Sequence, residues 1–199
     1  MRRSVLPPCL LICALLPGCA STKVETSGTT PDTPLCQARG ESLSALVLWR
    51  TDWRPDQKEV PLREAAARDG IEDFFASSAC FTTYEVRRLS PGASGAVPSA
   101  SELLALAATA SPSADRVIVV TVRELGPVVK LFNSAALVEG GTEVVLGLDA
   151  IEARTGASLA SFQTHWQNGG PMVIKGVASL PQDMSAALRA ALSPVPGPP

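Results

Sequence analysis

Residues 116–125 constrain the fold of this chain more than any other stretch. Val117, Ile118, Val119, Val120 and Val122 are apolar and β-branched at nearly successive positions. Such residues favour strands, and a strand that is apolar on both sides has to be covered on both sides. The segment therefore predicts a strand in the middle of a sheet, with packing layers above and below. Gly126 and Pro127 bend or interrupt it, and residues 128–132 are a candidate continuation.

The remaining elements arrange themselves around that strand. Residues 43–53 alternate as a strand whose first half is apolar on both sides and whose second half is polar on one. Residues 62–78 read as a helix that starts near Pro61 and buries Ala67, Ile71, Phe74 and Phe75. Arg63, Glu64, Arg68, Asp69, Glu72 and Asp73 form its solvated side, and Gly70 weakens it by about 1 kcal/mol relative to Ala. A short strand spans 81–89. Ser99 and Glu102 fit a capping box for a helix running to about Thr109, with Leu103, Leu104, Leu106 and Ala107 as its packing residues. Two strands at 142–153 and 157–166 flank the turn Arg154-Thr155-Gly156. Val144, Leu146, Leu148 and Ala150 line one face of the first, and Ala160, Phe162 and Trp166 one face of the second. Residues 168–171 read as a loop. A last helix over 180–192 carries the stripe Met184, Ala187, Leu188, Ala191 and Leu192, read as core rather than as a groove for a partner. The expected class is α/β (α+β): one mixed sheet of about five strands packed by about three helices, in the order β-α-β-α-β-β-β-α.

The amino terminus carries an address. Arg2 and Arg3 precede an apolar run from Val5 to Leu16, too short to span a bilayer, which takes about 20 residues, but matching a secretory signal. Leu16, Gly18 and Cys19 then resemble the lipobox of bacterial lipoproteins, with Pro17 where Ala, Ser or Thr is usual. The resemblance implies cleavage before Cys19, a diacylglyceryl thioether on its sulfur and an acylated (palmitate-type) amino terminus. Several acyl chains anchor stably where one binds marginally. The alternative is an ordinary secretory signal cut near Ala20. By the enterobacterial sorting rule, Ala20 rather than Asp implies the inner leaflet of the outer membrane, facing the periplasm. The expected organisation is a signal over 1–18, Cys19 with a flexible tether over 19–35, one globular domain over 36–192 and a proline-rich tail over 193–199. The Ser-, Thr-, Pro- and Gly-rich tether buries too little to offset its ordering entropy and would reach on the order of 50 Å if extended.

Removing the leader takes two of the 17 cations and none of the 19 anions, leaving 15 against 19, a net charge of −4. An acidic domain without a basic stripe is unsuited to a nucleic-acid backbone. Of the five cysteines, Cys9 and Cys13 leave with the signal and Cys19 takes lipid. Cys36 and Cys80 remain, and two cysteines in an oxidising compartment most simply pair. A bridge closing about 45 residues is worth about 3–4 kcal/mol in the chain-entropy view. The rival readings, a metal pair or a reactive thiol, have no supporting His or Cys spacing nearby.

The order of elements, with Leu46 to Trp53, Asp115 to Val122 and Leu148-Asp149-Ala150 through Thr155-Gly156 to Leu159, resembles the fold of the amino-terminal domain of TolB. That fold is shared by lipoprotein activators of penicillin-binding proteins and the curli-secretion lipoprotein. The resemblance implies a periplasmic interaction domain and carries over no functional residue.

Catalytic motifs are not evident. His165 is the single histidine; a Ser-His-Asp relay could use it, but no Gly-x-Ser-x-Gly elbow accompanies it, and a polar-face role is the simpler reading. No cofactor is expected. Trp49, Arg50 and Trp53 are candidate partner-binding residues, because Trp and Arg dominate interface energies; the competing reading puts both tryptophans in the core. The function expected is a lipid-anchored, non-enzymatic binding or assembly module for another envelope protein. The rivals are a subunit of a multimeric envelope or transport assembly and a hydrolase using His165.

Overall fold

A computed structural model describes residues 20–31, 35–36, 43–90, 97–110, 113–131 and 138–192. The expected signal over 1–18, Cys19 and the proline-rich stretch over 193–199 lie outside the described residues. Nine main elements follow one another: β1 (Ser21–Thr29), β2 (Ser44–Thr51), α1 (Val60–Ser78), β3 (Thr83–Arg88), α2 (Ala100–Ala107), β4 (Arg116–Leu131), β5 (Val138–Glu152), β6 (Ser158–Pro171) and α3 (Leu180–Leu192). The strands form one mixed sheet in the order β1-β6-β5-β4-β2-β3. β2 runs parallel to β3 and β4, and the other pairs are antiparallel. The expected class and helix count hold, with a sixth strand added by β1.

The chain steps from β2 outward to β3 through α1, then back across β2 to β4 through α2. Right-handed crossovers that reverse direction place their helices on opposite faces, and the cores follow that rule. The major core lies under α1 and α3: Phe74, Phe75, Ile71, Met184 and Leu188 pack on Val47, Trp49, Ile118, Val120, Leu146 and Leu148. A minor core on the other face joins α2, through Leu103 and Ala107, to Leu46, Leu48, Val117, Val119 and Ile151. β4 is thus covered on both sides, as its valine run requires. The capping box of α2 forms as expected, the Ser99 hydroxyl accepting from the Glu102 amide and the Glu102 carboxylate accepting from the Ser99 amide.

Gly70 has a packing reason. A methyl group there would come within 2.5 Å of the Pro181 carbonyl oxygen and 2.6 Å of Met184 Cβ. Glycine lets α1 and α3 approach closely, which offsets its poor helix propensity. Arg63, expected on the solvated side of α1, is instead buried. Its Nε donates to Lys58 O at 2.8 Å and its Nη1 to Leu125 O. It thereby satisfies a β4 carbonyl beyond the point where β2 ends.

The candidate continuation at 128–132 holds through Leu131, and two other expectations give way to longer strands. β4 continues through Gly126 and Pro127 to Leu131, past a bulge between Val122 and Glu124. Residues 168–171, read as a loop, complete β6, where Asn168 and Gly169 pair with Thr142 and Gly141. Residues 21–29, read as tether, form β1, paired antiparallel to β6 from Ser21↔Gly169 to Thr29↔Ser161. β2 stops at Thr51, opposite Val122. Beyond this level β4, β5 and β6 continue as an arm, with β1 running along β6 as its outer strand.

Candidate functional site

The arm presents a polar ledge on the face opposite α1 and α3. Val144 and Trp166 point into the major core, so their strand neighbours Glu143, His165 and Gln167 point the other way. Glu143 pairs with Gln167 in the ladder, one step from Val144↔Trp166, and the three side chains meet. His165 Nε2 bonds Glu143 Oε1; Gln167 Nε2 donates to Glu143 Oε1 at 3.2 Å and lies 3.0 Å from His165 Nε2. Glu124, displaced onto this face by the β4 bulge, joins them from the next strand. Arg54, from the β2–α1 loop, holds it with Nη2 to Oε1 at 2.7 Å. Burial raises the Glu124 pKa and the Glu143 carboxylate adds to the rise, while Arg54, His165 and Arg63 oppose it. Burial and a like charge both disfavour the ionised acid.

A histidine beside a carboxylate is two-thirds of an acyl-transfer relay. That chemistry needs a nucleophile within reach of the ring. The ring's bonded partners among the described residues are Glu143 and Gln167, and neither is one. Among the described residues no group of three or more His, Cys, Asp or Glu is placed to hold a metal ion. The ledge is suited to hydrogen-bonding a polar partner.

Below the ledge towards the end of the arm, β5 and β6 cross so closely that side chains are excluded. A Cβ on Gly141 would lie 2.4 Å from Asn168 O, and one on Gly169 2.2 Å from Gly140 O. A shallow open depression remains there, bordered by Ser21, Lys23, Val128 and Gln167.

The other residues singled out by sequence fall in different places. Cys36 and Cys80 are paired, with Cα atoms 4.6 Å apart; the bridge ties residue 36 to the end of α1 at the edge of the major core. Trp49 is 3% exposed within that core, so it is not a surface anchor. The Arg88 guanidinium sits 5.2 Å from its ring centroid and is held by Glu64 at 2.6 Å. Trp53 is half-buried against the same core with its indole N–H unpartnered, and Arg50 is half-buried and engaged. These three do not form a joint surface. The α3 stripe is core, as expected.

The ledge escaped the sequence reading for a definite reason. β5 and β6 shift register by one residue between Ala150 and Ile151. Counting outward from the turn without that bulge sets Glu143 against Trp166 and puts the carboxylate and the histidine on opposite faces.

No protein-family profile matches the chain, and no match to a curated protein reaches significance. Solved structures give distant likenesses. PelC from Paraburkholderia phytofirmans, described as a dodecamer, is 15% identical over 88% of this chain and 100% of that one, with a TM-score of 0.44. Lipoprotein GNA1162 from Neisseria meningitidis is 14% identical over 74% and 96%, at 0.38. The hypothetical protein CT253 from Chlamydia trachomatis is 12% identical over 77% and 99%, at 0.37. At these values the likenesses are of general shape, and no function is taken from them. No helix among the described residues is long and apolar enough to cross a membrane.

Proposed function

We propose that this chain is a lipoprotein anchored in the outer membrane through acylated Cys19, whose periplasmic domain binds or helps assemble another envelope protein without catalysing a reaction. The observation that carries this reading is Leu16-Pro17-Gly18-Cys19 at the end of a short apolar run behind two arginines. A core built for packing and a polar ledge built for hydrogen bonding support the binding role. Intact mass and fatty-acid labelling test the anchor. The mature chain is expected to begin at Cys19 and carry acyl chains, and Cys19→Ser is expected to leave the membrane fraction. An unmodified chain beginning elsewhere refutes it. Crosslinking in cells tests the binding role, with a reproducible partner expected and none counting against it.

A second reading, a subunit of a multimeric assembly, is favoured by β1. This strand is the edge of the sheet and is exposed along its whole length, so it offers a row of backbone groups to another strand. A strictly monomeric mass for the lipidated protein in detergent removes this reading.

A further inference from the structure

Val129, Met172 and Ile174 are the most exposed large apolar residues of the described chain, at 59, 72 and 81%, and they come together at one end of the arm. Val129 opposes Gly140, and Gly140 opposes Gly170. After β6 the chain turns at Met172, whose φ is +62°, and folds back over the sheet. The Val173 carbonyl then lies where a Gly140 Cβ would be, 2.3 Å away. Val129 therefore stands beside the Met172–Ile174 turn. Exposed apolar groups that gather in one place mark an interaction surface.

β1 begins at this same end. Ser21 opposes Gly169, which opposes Gly141, which opposes Val128. Between Cys19 and Ser21 stands only Ala20. Consecutive Cα atoms are about 3.8 Å apart, so Cys19 cannot lie more than about 8 Å from Ser21. The acyl chains must then leave the protein at the level of Met172 and Val129.

We infer that the end of the arm formed by Val129, Met172 and Ile174 is the membrane-facing surface of the domain and seats in the phospholipid leaflet that holds the acylated Cys19. The inference rests on the proposed lipidation and adds the orientation of the anchored domain. It replaces a domain floating on a long tether with one held upright, the arm against the bilayer and the turn at Arg154-Thr155-Gly156 pointing away. Short apolar side chains that enter the acyl boundary supplement a lipid anchor in this way.

Cys36 and Cys80 are paired and Cys19 would be acylated, so an introduced cysteine is the one free thiol of the mature chain. The test uses the full lipidated protein in phosphatidylethanolamine–phosphatidylglycerol vesicles. An environment-sensitive fluorophore is placed at Val129→Cys, Ile174→Cys or Thr155→Cys, and nitroxide-bearing lipids serve as quencher. Quenching at positions 129 and 174 is expected to exceed that at 155 by at least about threefold, with blue-shifted emission. Equal quenching at all three, in protein whose mass confirms the acyl chains, overturns the orientation while leaving the anchor standing. Blue-shifted emission at 129 and 174 without quenching would mean that a second copy of the chain covers the tip, and also overturns it. A mass lacking acyl chains removes anchor and orientation together.

Discussion

The helix-covered half of the sheet and the arm are made from the same strands, β4 to β6, yet they hold together differently. In the covered half, Ile118, Val120, Leu146 and Leu148 are sealed under α1 and α3, and Val117 and Val119 under α2. In the arm, glycines at 140, 141, 169 and 170 and polar residues such as Glu143 and Gln167 sit in strands whose order comes from ladder pairing. The first region is fixed by burial, which a sequence displays. The second is fixed by neighbours, which it does not. The difference also divides labour: the covered half supplies stability, and the arm carries the ledge, the exposed edge β1 and the apolar tip.

Substitutions can break or sharpen this contrast. The largest effect belongs to the covered half. Phe74→Ala, at a site with 0% exposure, is expected to cost about 3–5 kcal/mol by denaturant unfolding. A loss below about 1 kcal/mol would mean that α1 is not clamped on the sheet. Removing the Cys36–Cys80 bridge with Cys80→Ser is expected to cost about 3–4 kcal/mol, read the same way against the oxidised wild type. Gly70→Ala gains helix propensity but forces a methyl group against Pro181 and Met184. A net loss of about 1–3 kcal/mol is expected, and a rise in Tm would refute the close α1–α3 contact.

Elsewhere in the sheet the effects are smaller, and one is of opposite sign; it belongs to the covered half, where Thr164 pairs with Leu146. Thr164 has 0% exposure and its hydroxyl has no partner. Thr164→Val relieves that desolvation and should stabilise the protein by about 1 kcal/mol. Glu124→Gln gives the smallest change and a pH signature. A carboxyl whose pKa is raised by folding opposes folding above its folded pKa, and that penalty fades as pH falls to the ordinary glutamate value. The variant should therefore be slightly more stable than wild type at pH 7, with the difference shrinking towards about pH 4.5. A difference that grows on acidification would contradict the raised pKa.

These contrasts explain what was legible. The two-sided apolar run at 117–122 announced a covered central strand, the stripes Ile71, Phe74, Phe75 and Met184, Leu188, Leu192 announced α1 and α3, and Ser99 with Glu102 announced α2. Each signal is a burial pattern or a local cap. Residues 21–29 read as tether because they are mostly Ser, Thr and Gly with one apolar side chain; all nine stay exposed in the strand, and it is the partner β6 that makes them one. Pro127 in β4 and the Gly169-Gly170 pair in β6 are residues that usually end strands. Here Pro127 falls beyond Thr51, where β2 no longer needs its missing N–H, and Gly169 permits a close backbone approach to Gly140 that a larger residue would block. Of the candidate site, His165 was visible as the single histidine, but its carboxylate partners depend on two bulges and could not be counted out from the turn. Trp49, open to either an anchor or a core reading, is core, because its strand is covered on the side it faces.

Hydrogen exchange of the lipidated protein, resolved residue by residue over 21–29, tests the account most directly. The six-stranded sheet, and with it the proposed seating of the arm, requires the β1 amides facing β6 to exchange well below random-coil rates, alternating with unprotected neighbours. Uniform exchange at random-coil rates along this stretch would restore the tether and contradict both the six-stranded sheet and the seated arm.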